Sequence, residues 1–191
     1  MSTPRNDLPD RPTRCGGAAR RGAGVTTTEL LVTFFVASML IGMVSIAVSH
    51  TNRAKYAAVC TTNLRGIGLA FMQYAGDNGG SLPSTVNTPA QWEDLLRTYV
   101  HRNLFHCPAD NELFTSLGSS YDWRDTGDPM TTLAGRSFSQ VSRTQISLAF
   151  DALPGWHDPA RVQVLYLDNT VRLVDQDALL LDLTTPIRNA P

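Results

Sequence analysis

The sequence has little charge and lacks several of the motifs on which enzyme sites are built. Charged residues make up 17% of its 191 residues, below the usual quarter, which excludes a highly charged nucleic-acid-binding protein. It contains no His-Glu-x-x-His motif, no Gly-x-Ser-x-Gly elbow and no glycine-rich phosphate loop. Apolar residues, at 42%, are frequent enough to exclude disorder throughout. We therefore expect a folded protein that is not an enzyme, holds no metal or cofactor and binds no nucleic acid.

Charge is absent altogether from residues 30–48, a run of 19 mostly apolar residues. As a helix this run is roughly 28 Å long, close to the hydrocarbon thickness of a bilayer. Residues 1–24 carry five arginines against two aspartates, a net charge of +3, whereas the rest carries 11 basic and 15 acidic groups, a net charge of −4. Because basic flanks stay in the cytoplasm, we expect one span of the inner membrane with the N-terminus inside.

Two alternatives remain open for this run. One is a buried core helix of a soluble protein. The other is a signal peptide, because Ser45-Ile46-Ala47 offers the small residues that cleavage after Ala47 would need.

The residues before the apolar run form a motif. Arg20 and Arg21 precede Gly24, and the next eight residues read VTTTELLV, with Glu29 in fifth place. This stretch resembles the N-terminal cleavage and methylation motif of type IV prepilins and type II secretion pseudopilins. The resemblance implies that a prepilin peptidase cuts after Gly24 and methylates the new N-terminus, Val25. It also implies that Glu29 pairs with the terminal amine of a neighbouring subunit; an unpaired, hydrated carboxylate is the alternative.

The resemblance implies a pilin-like α+β fold in four parts. These are a disordered leader (1–24), the transmembrane half of a long helix (25–48), its extracytoplasmic half (49–76) and a globular domain with a small antiparallel sheet (77–191). The spacing of apolar residues predicts the packed face of that helix. Its members are Ala57, Cys60, Leu64, Ile67, Phe71 and Tyr74. Residues 77–80, Asp-Asn-Gly-Gly, are predicted to end the helix, whereas Gly66 and Gly68 either admit a close neighbour or, as we slightly favour, are merely tolerated.

Parts of the chain also resemble a pseudopilin-like subfamily abundant in planctomycetes. Residues 60–70 and 74–83 match its cysteine-asparagine-leucine-arginine helix and Asp-Asn-Gly turn, and residues 107–110 match its Cys-Pro-x-Asp segment. His157 and Asp168-Asn169 match its C-terminal histidine and Asp-Gly element approximately, with ten intervening residues and Asn in place of Gly. The roles of His157 and Asp168 stay open.

The three cysteines predict a disulfide. Cys15 leaves with the leader that the resemblance implies, so Cys60 and Cys107 remain on the oxidising side of the membrane. Cys60 lies on the packed helix face, and Cys107 follows an apolar segment. We expect these two residues to be bonded; two separate buried thiols are the alternative.

The rest of the domain shows short elements and few chemical signals. Residues 88–91 suit the capped start of a short helix, and residues 115–140 are predicted to form a loop. Strands are predicted at residues 146–150, 162–167 and 171–174, with a hairpin turn at 168–170. Residues 176–183 are predicted to form either a helix or an edge strand. Asp122, Asp125 and Asp128 are candidate calcium ligands, although a solvated acidic loop is favoured because they lack EF-hand spacing. His106 beside Cys107 suggests thiol activation or metal binding, but a surface histidine is favoured, and His101, His106 and His157 lack paired ligand spacing.

We expect a pilin or pseudopilin subunit that serves secretion or a surface function. Its expected partners are prepilin peptidase, other pilin subunits and inner-membrane lipid. The alternative is a membrane-anchored or signal-processed ligand-binding module outside the cytoplasm that does not assemble. The machine it serves, its rank as a major or minor subunit and the ligands of its loops stay open.

Overall fold

The computed structural model describes residues 24–85, 91–141 and 145–187, and these ranges form an α+β fold with four α-helices and a four-stranded antiparallel sheet. The chain divides into two units, one ending at Val44 and the other beginning at Ser45. The leader predicted over residues 1–24 lies outside the described residues, apart from Gly24.

Helix α1, Thr27–Asp77, is the longest element and confirms the predicted long helix. The sequence has no proline between Pro12 and Pro83 to interrupt it. Its first part, Thr27–Ser45, is long and apolar enough to span a membrane, and none of it is buried within the chain. Large side chains such as Phe34 and Phe35 are about 70% exposed. This stretch is therefore not the buried core helix that was one of the alternatives.

The later part of α1 belongs to the second unit and buries the predicted face. Cys60, Leu64, Ile67 and Phe71 are fully buried. The helix ends where Asn78 and two glycines follow: the Gly80 amide donates to the Ala75 carbonyl over 2.7 Å, and both glycines have positive φ. This left-handed stop is the predicted one.

Gly66 and Gly68 lie where other segments approach α1 closely. A Cβ at Gly66 would overlap the Leu104 side chain, and one at Gly68 would overlap the Asn169 amide oxygen and come within 3.2 Å of Leu165. The interpretation that these two glycines are merely tolerated, which was slightly favoured from the sequence, is therefore wrong. They leave the room that their neighbours occupy.

The sheet has the strand order β1-β2-β3-β4, with every neighbouring pair antiparallel. Its strands are β1 (Tyr121–Trp123), β2 (Ser147–Asp151), β3 (Arg161–Tyr166) and β4 (Val171–Asp175). The last three confirm the predicted strands to within one residue at each end. Asn169 takes φ +61° in the β3–β4 turn, as the predicted tight hairpin requires.

Residues 115–140 are not simply the predicted loop. They include β1, which pairs with β2, part of helix α3 (Leu113–Leu117) and a 3₁₀ helix at Phe138–Gln140. Helix α2, Trp92–Leu96, lies where a short helix was predicted, but its N-cap is Gln91; the predicted cap at Thr88 falls outside the described residues. Residues Gln176–Thr184 form helix α4, which selects the helix from the two alternatives for that segment.

Strand β3 is buried on both faces and organises the core. Leu165 packs with α1 and the aromatic cluster, whereas Val162 and Val164 pack with Leu179 of α4. Gln163, on the same face as Leu165, donates from Nε2 to the Ala57 carbonyl of α1 over 2.8 Å. Apart from Gln163, the buried residues of this strand are apolar, which suits its position between two layers.

The fully buried Arg124 ties α4 to the sheet. Its guanidinium donates to the Asp182 carboxylate over 2.8 Å and also to the carbonyl oxygens of Thr131, Asp182 and Thr185. Several acceptors around one buried guanidinium offset the cost of removing it from water. Helix α4 is thus held by a polar anchor as well as by apolar packing.

Candidate functional site

The first candidate site is the start of α1. Gly24 and Val25 lie before the helix and are both exposed, with Val25 71% exposed. A side chain at Gly24 would meet nothing within 4 Å. Glu29 lies in the first turn and is exposed. All three residues of the predicted processing and assembly motif are therefore accessible in this chain.

Glu29 also has a local role that the sequence analysis missed. The Glu29 amide donates to Thr26 Oγ1 over 3.3 Å, and the Thr26 amide donates back to Glu29 Oε2 over 3.1 Å. This reciprocal pair is a capping box, which satisfies backbone donors that a helix N-terminus otherwise leaves free. The signal was present in the sequence as Thr-x-x-Glu before an apolar run.

The second candidate site is the buried Cys60–Cys107 pair. The structure joins these residues in a disulfide, as predicted, with their Cα atoms 5.5 Å apart and both side chains fully buried. Cys60 is supplied by the packed face of α1. Cys107 follows a 3₁₀ helix at Arg102–Phe105, and its amide donates to Ser120 Oγ over 2.9 Å.

The hydrogen bonds of Asp110 explain why an aspartate lies three residues after Cys107. Its carboxylate accepts hydrogen bonds from Ser120 Oγ over 2.6 Å and from three successive amides at the start of α3. Burial alone would raise the pKa of Asp110, but these hydrogen bonds lower it below its usual value. Through Ser120, which binds both Asp110 and the Cys107 amide, this carboxylate fixes the turn that positions the sulfur.

The histidine beside the disulfide is His157, not His106. His157 Nε2 lies 3.4 Å from Cys107 Sγ, although 50 residues separate the two in sequence. The His106 ring instead packs against Phe114, with ring centroids 4.6 Å apart. His106 is exposed, which confirms the favoured interpretation of a surface histidine, and its alternative role at the thiol is wrong.

Asp151 completes the polar group around the disulfide. Its Oδ2 lies 3.9 Å from His157 Nε2 and accepts a hydrogen bond from the Gln163 amide over 2.9 Å. Both side chains are only 2% exposed. Burial lowers the pKa of His157 and raises the pKa of Asp151 to about 7. Within the described ranges, His157 Nδ1 and Asp151 Oδ1 are buried without a hydrogen-bond partner.

The remaining candidate ligands are dispersed. Asp122, Asp125 and Asp128 bond to neighbouring backbone or threonine groups, and they form no ligand cluster in the part of the chain described. The group that does form there is Cys60, Cys107 and His157, whose donor atoms lie within 4.8 Å of one another.

Asp168 caps the β3–β4 turn rather than joining His157. Its Oδ1 accepts hydrogen bonds from the Thr170 hydroxyl and, over 3.0 Å, from the Thr170 amide, and these bonds lower the pKa of Asp168. Asn169 follows in the left-handed region, which glycine occupies without strain. The two ends of the approximate C-terminal element therefore have different contacts.

Comparisons with protein-family models, with curated proteins and with solved structures found no match to this chain.

Proposed function

We propose that this chain is a pilin-like or pseudopilin subunit that assembles through α1 into a pilus or pseudopilus. The observation that carries the proposal is the first part of α1. It is long enough to cross a bilayer and exposed along its length, and it begins at Thr27, three residues after Gly24, with Glu29 in its first turn. Such an apolar surface needs a cover, which lipid provides before assembly and neighbouring helices provide in a filament.

The charge distribution supports one orientation. The arginine-rich residues 1–24 belong in the cytoplasm by the positive-inside rule, which places the second unit outside it, in the periplasm or at the cell surface. The Cys60–Cys107 disulfide belongs to that second unit, and disulfides persist in oxidising compartments.

In this proposal Glu29 changes partners on assembly. After cleavage Val25 carries a terminal amine, and the Glu29 carboxylate of one subunit pairs with that amine on the next. A carboxylate at the centre of a bilayer costs about 2.5–3.5 kcal/mol, and less near the interface. An ion pair between subunits offsets that cost and therefore favours the assembled state.

The capping box favours a second candidate function. Because Thr26 already gives the Glu29 carboxylate a partner within the chain, Glu29 is also consistent with a membrane-anchored binding module that never assembles. In that case the globular unit acts alone outside the cytoplasm, and the apolar helix is only an anchor.

Processing tests the proposal. In cells with an active prepilin peptidase, the membrane form is expected to begin at N-methylated Val25, as read by mass spectrometry. Gly24→Leu is expected to leave the uncut chain, because the peptidase must accommodate the residue before the cut. Gly42→Leu is the matched control, since a Cβ there also meets nothing within 4 Å, and it is expected to be processed normally.

Other N-termini contradict the proposal. A chain that starts at Val48 supports a signal-processed module, and one that keeps Met1 beside an active peptidase supports a plain anchor.

A further inference from the structure

The buried group around the disulfide contains more coordinating chemistry than a structural crosslink needs. The sulfurs of Cys60 and Cys107 and a ring nitrogen of His157 all lie within 4.8 Å of one another. Independently, the side chains of His157 and Asp151 are each only 2% exposed, and His157 Nδ1 and Asp151 Oδ1 are buried without a partner among the described residues. Unpaired buried polar atoms are costly and call for an explanation.

We propose that reduction of the Cys60–Cys107 disulfide converts this group into a binding site for one Zn²⁺ ion. The ligands are the thiolates of Cys60 and Cys107 and Nε2 of His157. Asp151 lies beside His157 and supplies the fourth ligand, an oxygen atom, directly or through a water molecule. The same cysteine pair thus has two closed forms, a disulfide and a metal site. This inference does not depend on filament assembly.

The observed separations fit tetrahedral zinc. Zn–S bonds of about 2.3 Å and Zn–N bonds of about 2.0–2.1 Å place a sulfur and a nitrogen ligand about 3.6 Å apart. His157 Nε2 and Cys107 Sγ are 3.4 Å apart. An oxygen and a nitrogen ligand should be about 3.4 Å apart, against 3.9 Å between Asp151 Oδ2 and His157 Nε2. The two sulfurs, which are bonded to each other in the disulfide, must separate to about 3.8 Å.

The ligand types also select the metal. Two thiolates and an imidazole suit Zn²⁺, whereas Ca²⁺ and Mg²⁺ prefer oxygen donors. The surroundings are ordered before any metal binds, because the Ser120–Asp110 pair holds the Cys107 turn and the Gln163 amide holds Asp151. Such outer contacts keep ligands oriented in metal sites.

The conversion balances with a phosphine reductant. The phosphorus takes an oxygen atom from water and becomes a phosphine oxide; its two electrons break the S–S bond, and the two hydrogens of that water become the two thiol protons. Zn²⁺ then binds both sulfurs as thiolates and releases two protons to the buffer.

Cobalt provides the direct test, because Co²⁺ substitutes for Zn²⁺ and tetrahedral thiolate ligation gives it strong visible absorption. The full-length chain in detergent, carrying Cys15→Ser to remove the third thiol, is reduced with a phosphine without oxygen and titrated with Co²⁺. We expect one Co²⁺ per chain, sulfur-to-cobalt charge-transfer absorption, displacement by Zn²⁺ and no such absorption from the oxidised chain.

Two histidine variants make the test specific. His157→Ala is expected to weaken Co²⁺ binding by more than about tenfold and to alter the visible bands, since it removes one ligand. His106→Ala is the matched control, because His106 is adjacent to Cys107 in sequence but packs on Phe114, and it is expected to bind normally. Equal behaviour of the two variants, or absorption no stronger than that of Cys60→Ser, would overturn the proposal.

A thermal measurement covers the case in which the reduced chain is poorly folded. A metal that binds the native state stabilises it, so Zn²⁺ is expected to raise the unfolding midpoint of the reduced chain but not of the oxidised chain. If Zn²⁺ leaves the reduced chain unchanged, the site does not exist.

Discussion

The buried carboxyl group of Glu93 destabilises the folded state when it is ionised. It lies on α2, is 6% exposed, and its Oε2 is buried without a partner among the described residues. Burial, with the nearby charges of Asp94 and Asp122, raises the pKa of Glu93 above its ordinary value of 4.5. The folded state therefore holds the proton more tightly than the unfolded state, and ionisation at neutral pH reduces stability.

Glu93→Gln is expected to raise the free energy of unfolding at pH 7. The gain should disappear below about pH 4.5, where the carboxyl is protonated in both states, and should grow as pH rises above that value. Denaturant titration of the full-length chain in detergent at several pH values measures it. The exposed Glu112→Gln is the control and is expected to have little effect. A gain from Glu93→Gln that persists at pH 3 would show that its cause is not the charge.

Among the elements, α1 shows what its glycines contribute. Gly76 lies near the helix end in open space, whereas Gly68 faces Asn169 and Leu165. Alanine is a better helix former than glycine by about 1 kcal/mol, but overpacking costs about 1–3 kcal/mol. The same substitution should therefore change stability in opposite directions at the two positions.

We expect Gly76→Ala to stabilise the chain by about 0.5–1 kcal/mol and Gly68→Ala to destabilise it by about 1 kcal/mol. Adding Asn169→Gly to Gly68→Ala should recover part of the loss, because it removes the overlapping amide and glycine tolerates the positive φ at that position. Unfolding in denaturant of these three variants and of the single Asn169→Gly variant measures this coupling. Equal gains from the two single alanine variants would contradict the close approach.

The elements that sequence could predict are those whose signals are local. The uncharged run, the 3–4 spacing along α1, the glycines after Asn78 and the Asp-Asn-Thr turn each lie within one short stretch. Strand β1 could not be predicted in this way. It has three residues, and its burial comes from pairing with β2, where Tyr121 faces Asp151 and Trp123 faces Ala149.

The same limit applies to the candidate sites. The disulfide was predicted because Cys60 and Cys107 remain once Cys15 leaves with the leader that the resemblance implies, and the capping box was readable as Thr-x-x-Glu. His157 could not be placed, because no spacing relates it to Cys107 across 50 residues. Its only sequence signal was an approximate C-terminal element whose other half, Asp168, caps a turn instead.

In the molecule as a whole, the two units differ in how their apolar surface is covered. The second unit is closed by its own core, a disulfide and the Arg124–Asp182 anchor. The first unit has an apolar surface, and none of its membrane-length stretch is buried. We propose that this surface is the assembly surface and that Glu29 is its specific contact.

Substitutions at Glu29 separate assembly from capping. Glutamine keeps the hydrogen-bond acceptor of a capping box but has no charge, whereas alanine removes both. If Glu29 pairs with the amine of a neighbouring subunit, both substitutions should reduce assembly. If it serves only the cap, glutamine should behave like the wild type.

The most direct measurement is photocrosslinking between subunits in cells, with the photoreactive residue at position 35, where Phe35 is 68% exposed. Membrane levels of each variant are measured alongside, because loss of a charge should leave insertion intact or improve it. We expect crosslinked oligomers from the wild-type chain and strong loss of them from both Glu29→Gln and Glu29→Ala at equal membrane levels. If the Glu29→Gln variant crosslinks to the same extent as the wild-type chain, assembly through this ion pair is contradicted.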